Sequence, residues 1–129
     1  MYNSFTELNV WKECRILRKK ISVLVKQFPD YEKYNLTGQI LRSSKSPCSN
    51  IAEGHGRFYY QENIQFCRIE RGSLYETLNH LTDALDNEYI TLEQFNEHES
   101  QVDICVKLTN GYISFLEKQK EKTKSINNS

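Results

Sequence analysis

The stretch 10-VWKECRILRKKISVLVKQF-28 decides the fold. Val10, Cys14, Leu17, Ile21, Leu24 and Phe28 recur at alternating spacings of four and three, with Lys12, Arg15, Arg18, Lys19 and Lys20 between them. Residues three and four apart share one helix face, so this is an amphipathic helix with an apolar stripe and a basic outer side. It ends at Phe28-Pro29-Asp30, because proline restricts its predecessor and lacks the donor a continuing helix needs.

The same reading extends outward. A second helix is predicted from Leu36 or Thr37 to about Glu53, burying Ile40, Leu41, Ser44, Cys48 and Ile51. Its seam is rich in serine (Ser43, Ser44, Ser46, Ser49), which lets a neighbour approach closely. Pro47 is expected to kink it, and Gly54 and Gly56 to stop it. The third and longest helix is expected over Tyr59 to Asn87, its stripe being Tyr60, Ile64, Cys67, Arg71, Leu74, Leu78, Leu81 and Leu85. Arg71 thus occupies a core position, and Gly72 is expected to pack closely on the serine-rich second helix, offsetting the roughly 1 kcal/mol a mid-helix glycine costs. Thr91-Leu92-Glu93-Gln94 has the form of a capping box, opening a fourth helix through Phe95, Val102, Cys105, Leu108, Tyr112 and Leu116.

These elements predict an all-α, up-down-up-down antiparallel four-helix bundle over residues 1–118, with a polar, frayed tail at 119–129. The chain has 129 residues, enough for one core, and only five glycines and two prolines, against a turn-rich β fold. No apolar run is long enough to cross a bilayer, and Met1-Tyr2-Asn3-Ser4 lacks the features of a signal peptide, so a cytoplasmic location with no membrane partner is the expectation. Glycosylation-like strings at Asn35-Leu36-Thr37 and Asn127-Asn128-Ser129 then carry no weight.

Chemistry is sparse. His55, His80 and His98 are scattered, and Cys14, Cys48, Cys67 and Cys105 fall one per helix without a C-x-x-C pair. Reduced core thiols are the economical reading; a four-thiolate zinc site is conceivable by depth, but structural zinc usually draws on tightly spaced ligand pairs. There is no G-x-S-x-G elbow and no phosphate-binding glycine loop. No enzyme, cofactor or metal is therefore expected.

The unusual segments are Ser46-Pro47-Cys48-Ser49-Asn50-Ile51-Ala52-Glu53-Gly54-His55-Gly56-Arg57 and Arg71-Gly72-Ser73-Leu74-Tyr75-Glu76. On the residues alone, Glu53 and Arg71 are expected to form a partly buried ion pair, with Asn50 and Ser73 satisfying the remaining polar atoms. The competing reading is an anion or nucleic-acid site around Arg57, Arg68 and Arg71 at the mouth of the bundle.

Charge is segregated although the net charge is zero: residues 1–57 hold ten Lys/Arg against five Asp/Glu, and residues 58–129 seven against twelve. Lys12, Arg15, Arg18, Lys19, Lys20 and Lys26, with Arg42, Lys45, Arg57 and Arg68, are candidate contacts to RNA or DNA or to another subunit. Asp83, Asp86, Glu88, Glu93, Glu97, Glu99 and Asp103 are their acidic counterpart, and copies meeting basic face to acidic face would associate head to tail, a geometry that closes rings.

Together, Phe5, Leu8, Val10, Trp11, Lys12, Phe28-Pro29, Glu32, Tyr34, Leu36, Gln39, Arg42, Asn50-Ile51-Ala52-Glu53-Gly54, Phe66, Arg71-Gly72-Ser73 and Glu76 give the chain a family resemblance. It resembles the four helix bundle proteins encoded in intervening sequences of bacterial 23S ribosomal RNA genes, also labelled the S23 ribosomal protein family. Lys45, Pro47, Cys48 and Glu70 depart from that pattern. The resemblance implies a non-enzymatic bundle that assembles into a ring of five. It also implies kinship with the accessory variability determinant protein of diversity-generating retroelements, a basic pentamer that binds nucleic acid. The leading expectation is thus a ring-forming, nucleic-acid-associated module, and the alternative is a protein-protein scaffold without nucleic-acid binding.

Overall fold

The computed structural model describes residues 4–128; Met1–Asn3 and Ser129 lie outside them, and with them parts of the leader and second glycosylation readings. Four helices follow in order: α1 (Asn9–Leu24), α2 (Leu36–His55), α3 (Tyr60–Asp86) and α4 (Leu92–Asn128). No strand occurs among the described residues. Each helix packs against two others, in the cycle α1–α2–α3–α4–α1. The pairings run in opposite senses: Gln27, Lys20 and Glu13 on α1 and its extension bond Gln94, Glu97 and Gln101 on α4, while Ser43 and Ser46 on α2 meet Thr77 and Ser73 on α3. The bundle is therefore antiparallel throughout these contacts, as short connections require.

The α1 stripe is buried as its spacing demands: Val10, Cys14, Leu17, Ile21, Leu24 and Phe28 all lie in the core, with Ile40 and Ile51 of α2, Leu74 and Leu81 of α3, and Val102 and Cys105 of α4. At the Phe28 end the two connections are tied together. Tyr89 Oη donates to Glu32 Oε2 at 2.7 Å, its hydroxyl lies 3.0 Å from that of Tyr31, and the amides of Gln27 and Gln94 bond reciprocally. The capping box forms: Thr91 N–H donates to Gln94 Oε1 at 3.0 Å and Gln94 N–H to Thr91 Oγ1 at 3.1 Å.

Several expectations are corrected. Gly54 does not stop α2; the helix runs to His55, with Gly56 as its C-cap. Gly54 is instead buried against α3, where an added Cβ would lie 2.6 Å from Asn63 Oδ1 and 2.9 Å from Phe66 Cβ. Gly72, expected to make that close approach, is exposed with nothing near its missing Cβ. α2 continues through Pro47, which is buried in the core. Tyr60 is exposed, and Leu78 and Leu85 are only half-buried, because α3 is wedged between α2 and α4 and buries a broader face shifted toward Asn63, Glu70, Ser73 and Thr77. α4 carries on as helix across residue 119, in a run of strong helix formers (Glu117-Lys118-Gln119-Lys120-Glu121-Lys122), and Lys120 Nζ donates to Gln61 Oε1 on α3 at 2.6 Å.

Candidate nucleic-acid interface

The basic residues divide into used and unused charges. On the side of α1 and its 3-10 extension (Val25–Gln27) turned from the core, Lys12, Arg15, Lys19 and Lys26 follow one another at spacings of three, four and seven, and all are exposed. Ser22 fills the remaining position of this row. Arg15 stacks over the Trp11 ring, 5.8 Å from its centroid. Among the described residues, none of these four cations, nor Arg18 and Lys45, has a carboxylate within 4.0 Å, whereas other candidates do. Lys20 pairs with Glu97 at 2.7 Å, Arg42 with Glu76, Arg57 with Glu53 at 2.7 Å and Glu62 at 3.7 Å, and Arg68 with Glu117 at 3.8 Å. Lys20–Glu97 joins the basic α1 to the acidic α4 within one chain. The Lys20 ammonium holds the Glu97 carboxyl below its ordinary value, and Glu76 is likewise lowered, the Arg42 guanidinium and His80 outweighing its desolvation.

The acidic candidates Asp83, Asp86, Glu88, Glu93, Glu97, Glu99 and Asp103 are all exposed. Two of them, Glu99 and Asp103, rim a groove of about 360 Å³ between α3 and α4 that is otherwise lined by Tyr75, Leu78, Ser100, Val102 and Val106.

The polar cluster is only partly assembled as expected. Ser73 Oγ donates to Ser46 Oγ at 2.9 Å, and Asn50 Nδ2 donates to the same oxygen at 2.8 Å. Glu53 and Arg71 do not meet. Glu53 takes Arg57, four residues on in the α2–α3 turn, and Arg71, half-buried rather than in the core, donates to Asn110 Oδ1 on α4 at 2.7 Å. The arginines expected to converge at the mouth are thus committed to separate partners: Arg57 at the α2–α3 turn, Arg68 and Arg71 along the α3–α4 flank.

The buried charge-bearing residue is the neighbour of Arg71. Glu70 is fully buried, and both of its carboxyl oxygens lie near Thr109 Oγ1, at 2.7 and 3.0 Å. Burial pushes this carboxyl up to about 8, against the opposing pull of Thr109 and Arg71. Around it the thiols of Cys14, Cys48, Cys67 and Cys105 are free and buried. Desolvation raises Cys48 to about 11 and Cys67 to about 12, and Cys14 is raised further by its hydrogen bond with Cys105. Composition gave no hint of Glu70, because an isolated Glu one residue from a core stripe reads as solvent-facing. The available signal was Thr109, a β-branched hydroxyl residue on the buried side of α4. No group of three or more His, Cys, Asp or Glu among the described residues is placed to hold a metal ion, and no buried side-chain N or O among them lacks a hydrogen-bond partner. No described helix is long and apolar enough to cross a membrane.

Fold and surface together define an all-α four-helix bundle whose core polar groups satisfy one another and whose first helix carries a row of exposed cations without carboxylate partners among the described residues. The model of the 23S rRNA-intervening sequence protein family matches residues 6–111, and the chain belongs to that family. It is also similar to a solved crystal structure from Bacteroides thetaiotaomicron, a protein of unknown function from the S23 ribosomal protein family. The two share 27% identity with a TM-score of 0.75, over 81% of this chain and 97% of the other. No curated protein matches the chain.

Proposed function

We propose that the protein is a non-enzymatic, cytoplasmic bundle that assembles with copies of itself into a ring, a homopentamer, and meets RNA or DNA through the outer face of α1. The observation that carries the nucleic-acid half is the row Lys12, Arg15, Lys19 and Lys26, exposed and without carboxylate partners among the described residues. At about 1.5 Å per residue the row spans roughly 21 Å. Unneutralised cations at that density release counterions when they meet phosphates, a sequence-independent source of affinity. Four free thiols suit a reducing compartment.

Binding of duplex and single-stranded oligonucleotides measured across a salt series tests it. Four phosphate contacts per chain give a log–log slope of about −3 on single strands and nearer −4 on duplex, and the variant Lys12→Gln/Lys19→Gln reduces it by roughly one to two. Salt-independent or absent binding sinks the nucleic-acid half. Light scattering on the eluting protein tests the ring, and a monomer at high concentration sinks that half.

One observation favours the rival, a protein scaffold with no nucleic-acid role. Lys20 and Glu97 already join basic α1 to acidic α4 within a chain, and Glu99, on the rim of the α3–α4 groove beside the Asp103–Lys107 pair, offers the same match to another copy. If so, Lys12→Gln/Lys19→Gln disperses the assembly.

A further inference from the structure

At the end of the bundle where α2 gives way to α3, the surface changes character. Phe58, Tyr59 and Phe115 expose 88%, 64% and 51% of their surface, an unusual amount of aromatic area to leave in water. They are ordered against one another. Phe58 meets Tyr59 edge to face at 4.8 Å, and Phe115 stacks on Tyr112 with centroids 6.3 Å apart and planes 11° from parallel. Both pairs line a depression of about 320 Å³ between the α2–α3 turn and α4, with Arg57 and Asn63 also on its wall.

The extension of α4 beyond it carries an excess of lysine over glutamate. Past the depression α4 extends as a helix in which residues 117–124 carry four lysines against two glutamates. Among the described residues Lys118, Lys122 and Lys124 have no carboxylate within 4.0 Å, and Lys120 bonds only the neutral amide of Gln61. Arg57, by contrast, is held by Glu53 and Glu62 and lies 5.1 Å from the Phe66 ring centroid, which fixes the wall of the depression. At spacings of three and four, Lys118 and Lys122 share the helix face of Phe115; exposed rings followed by unpaired cations on one face is the composition of single-strand sites, where bases stack and lysines follow the backbone.

We infer that the shelf formed by Phe58, Tyr59, Tyr112 and Phe115 stacks unpaired nucleobases of a single strand whose phosphates run along Lys118 and Lys122 of the α4 extension. This rests on the nucleic-acid reading above and adds to it a preference for unpaired over paired bases. The π-faces demand no sequence, so the site takes any single strand.

Anisotropy of a labelled oligothymidylate of about a dozen nucleotides, and of an abasic strand of equal length, separates stacking from phosphate attraction. Each stacked base contributes about 1–3 kcal/mol, roughly fivefold to a hundredfold in affinity. Phe58→Ala/Phe115→Ala in the full chain, its helicity checked by circular dichroism, is expected to lose about tenfold or more on the base-bearing strand. The abasic strand and the salt slope stay unchanged, and Phe58→Tyr/Phe115→Trp restores binding. Lys12→Gln/Lys19→Gln weakens both strands alike. If the alanine variant binds the base-bearing strand as tightly as the native protein, the shelf is not a base platform although the α1 reading stands. If neither strand binds the native protein, both readings fall. If the alanine variant instead changes the oligomeric state, the shelf is a subunit contact and the inference is overturned.

Discussion

The Glu70 carboxyl and the Thr109 hydroxyl meet in the centre of the bundle at 2.7 Å, and this contact brings no balancing charge. Thr109 Oγ1 also lies 2.8 Å from Cys105 O, one turn back on α4. A hydroxyl has one proton to give. With Glu70 neutral, the carboxyl donates to Thr109 and Thr109 donates to the Cys105 carbonyl, so every group is satisfied. With Glu70 ionised, Thr109 must choose between the two acceptors, and the carboxylate is left with at most one donor.

Stability should therefore decline with rising pH. The folded-state value of about 8 lies above the ordinary 4.5, so the folded state holds a proton that the unfolded chain has released. The contribution is complete below about pH 4.5 and is lost as pH climbs to 8, at roughly 1.4 kcal/mol per unit of separation. Urea unfolding of the native protein and Glu70→Gln at pH 5 to 9 measures it, since their difference cancels every shared titration. The Gln variant should gain relative to the native protein from pH 5 to about 8 and level off above it. A difference that stays flat across this range rules the neutral buried carboxyl out.

The thiols should be silent until the fold opens. All four are buried, and those of Cys14, Cys48 and Cys67 are pushed above their ordinary value of 9.0. Because the thiolate is the reactive form, a disulfide reagent at pH 8 is expected to titrate essentially none in the native protein and all four in denaturant. Fast labelling of any one in native buffer contradicts the packing around it.

Gly54 and Gly72 should respond to alanine in opposite directions. At Gly54 the new methyl would stand 2.9 Å from Phe66 Cβ, an atom fixed to the α3 backbone, so the helices must part, at about 1–3 kcal/mol. At Gly72 nothing lies near, and alanine gains about 1 kcal/mol of helix propensity. Thermal melts of the two variants decide it; a stabilised Gly54→Ala or a destabilised Gly72→Ala reverses the assignment of these glycines.

That pair also marks where the sequence could be read and where it could not. α1 was legible because its apolar residues form a narrow stripe and its outer face is charged, so the spacing leaves one rotational setting. The Thr91–Gln94 box was legible because capping is local. α3 was not, because it has neighbours on two sides and meets them with Ser73, Thr77, His80 and Glu70, residues that hydropathy assigns to water. One residue of helix is 100° of rotation, so placing Arg71 rather than Glu70 inside displaced the expected ion pair and Gly72 with it. What hid the true arrangement was complementary hydroxyl pairing, Ser43 with Thr77 and Ser46 with Ser73, which needs both helices to be recognised. Of the candidate interface, the α1 row was visible in the sequence, whereas the partners that neutralise Arg42, Arg57 and Arg68 come from the fold.

The turn between α3 and α4 holds a residue at odds with its backbone. Glu88 has φ of 61°, the left-handed region, where a side chain costs about 1 kcal/mol or more relative to glycine. The chain accepts this to close the helix: Tyr89 N–H donates to Ala84 O at 2.9 Å and Glu88 N–H to Leu85 O at 3.0 Å, the paired bonds of a Schellman ending. Glycine takes the same conformation without the Cβ clash, although it also gives the unfolded chain more freedom, which offsets part of the gain. Removing Glu88 also takes a carboxylate away from the negative end of the α3 dipole, so both local terms favour the substitution. Glu88→Gly is expected to raise stability by about 0.5–1 kcal/mol, and Glu88→Val, whose branched side chain tolerates this region worst, to lower it. Unfolding curves of the three proteins test the ordering Gly above Glu above Val; a Val variant as stable as the native chain excludes the left-handed ending.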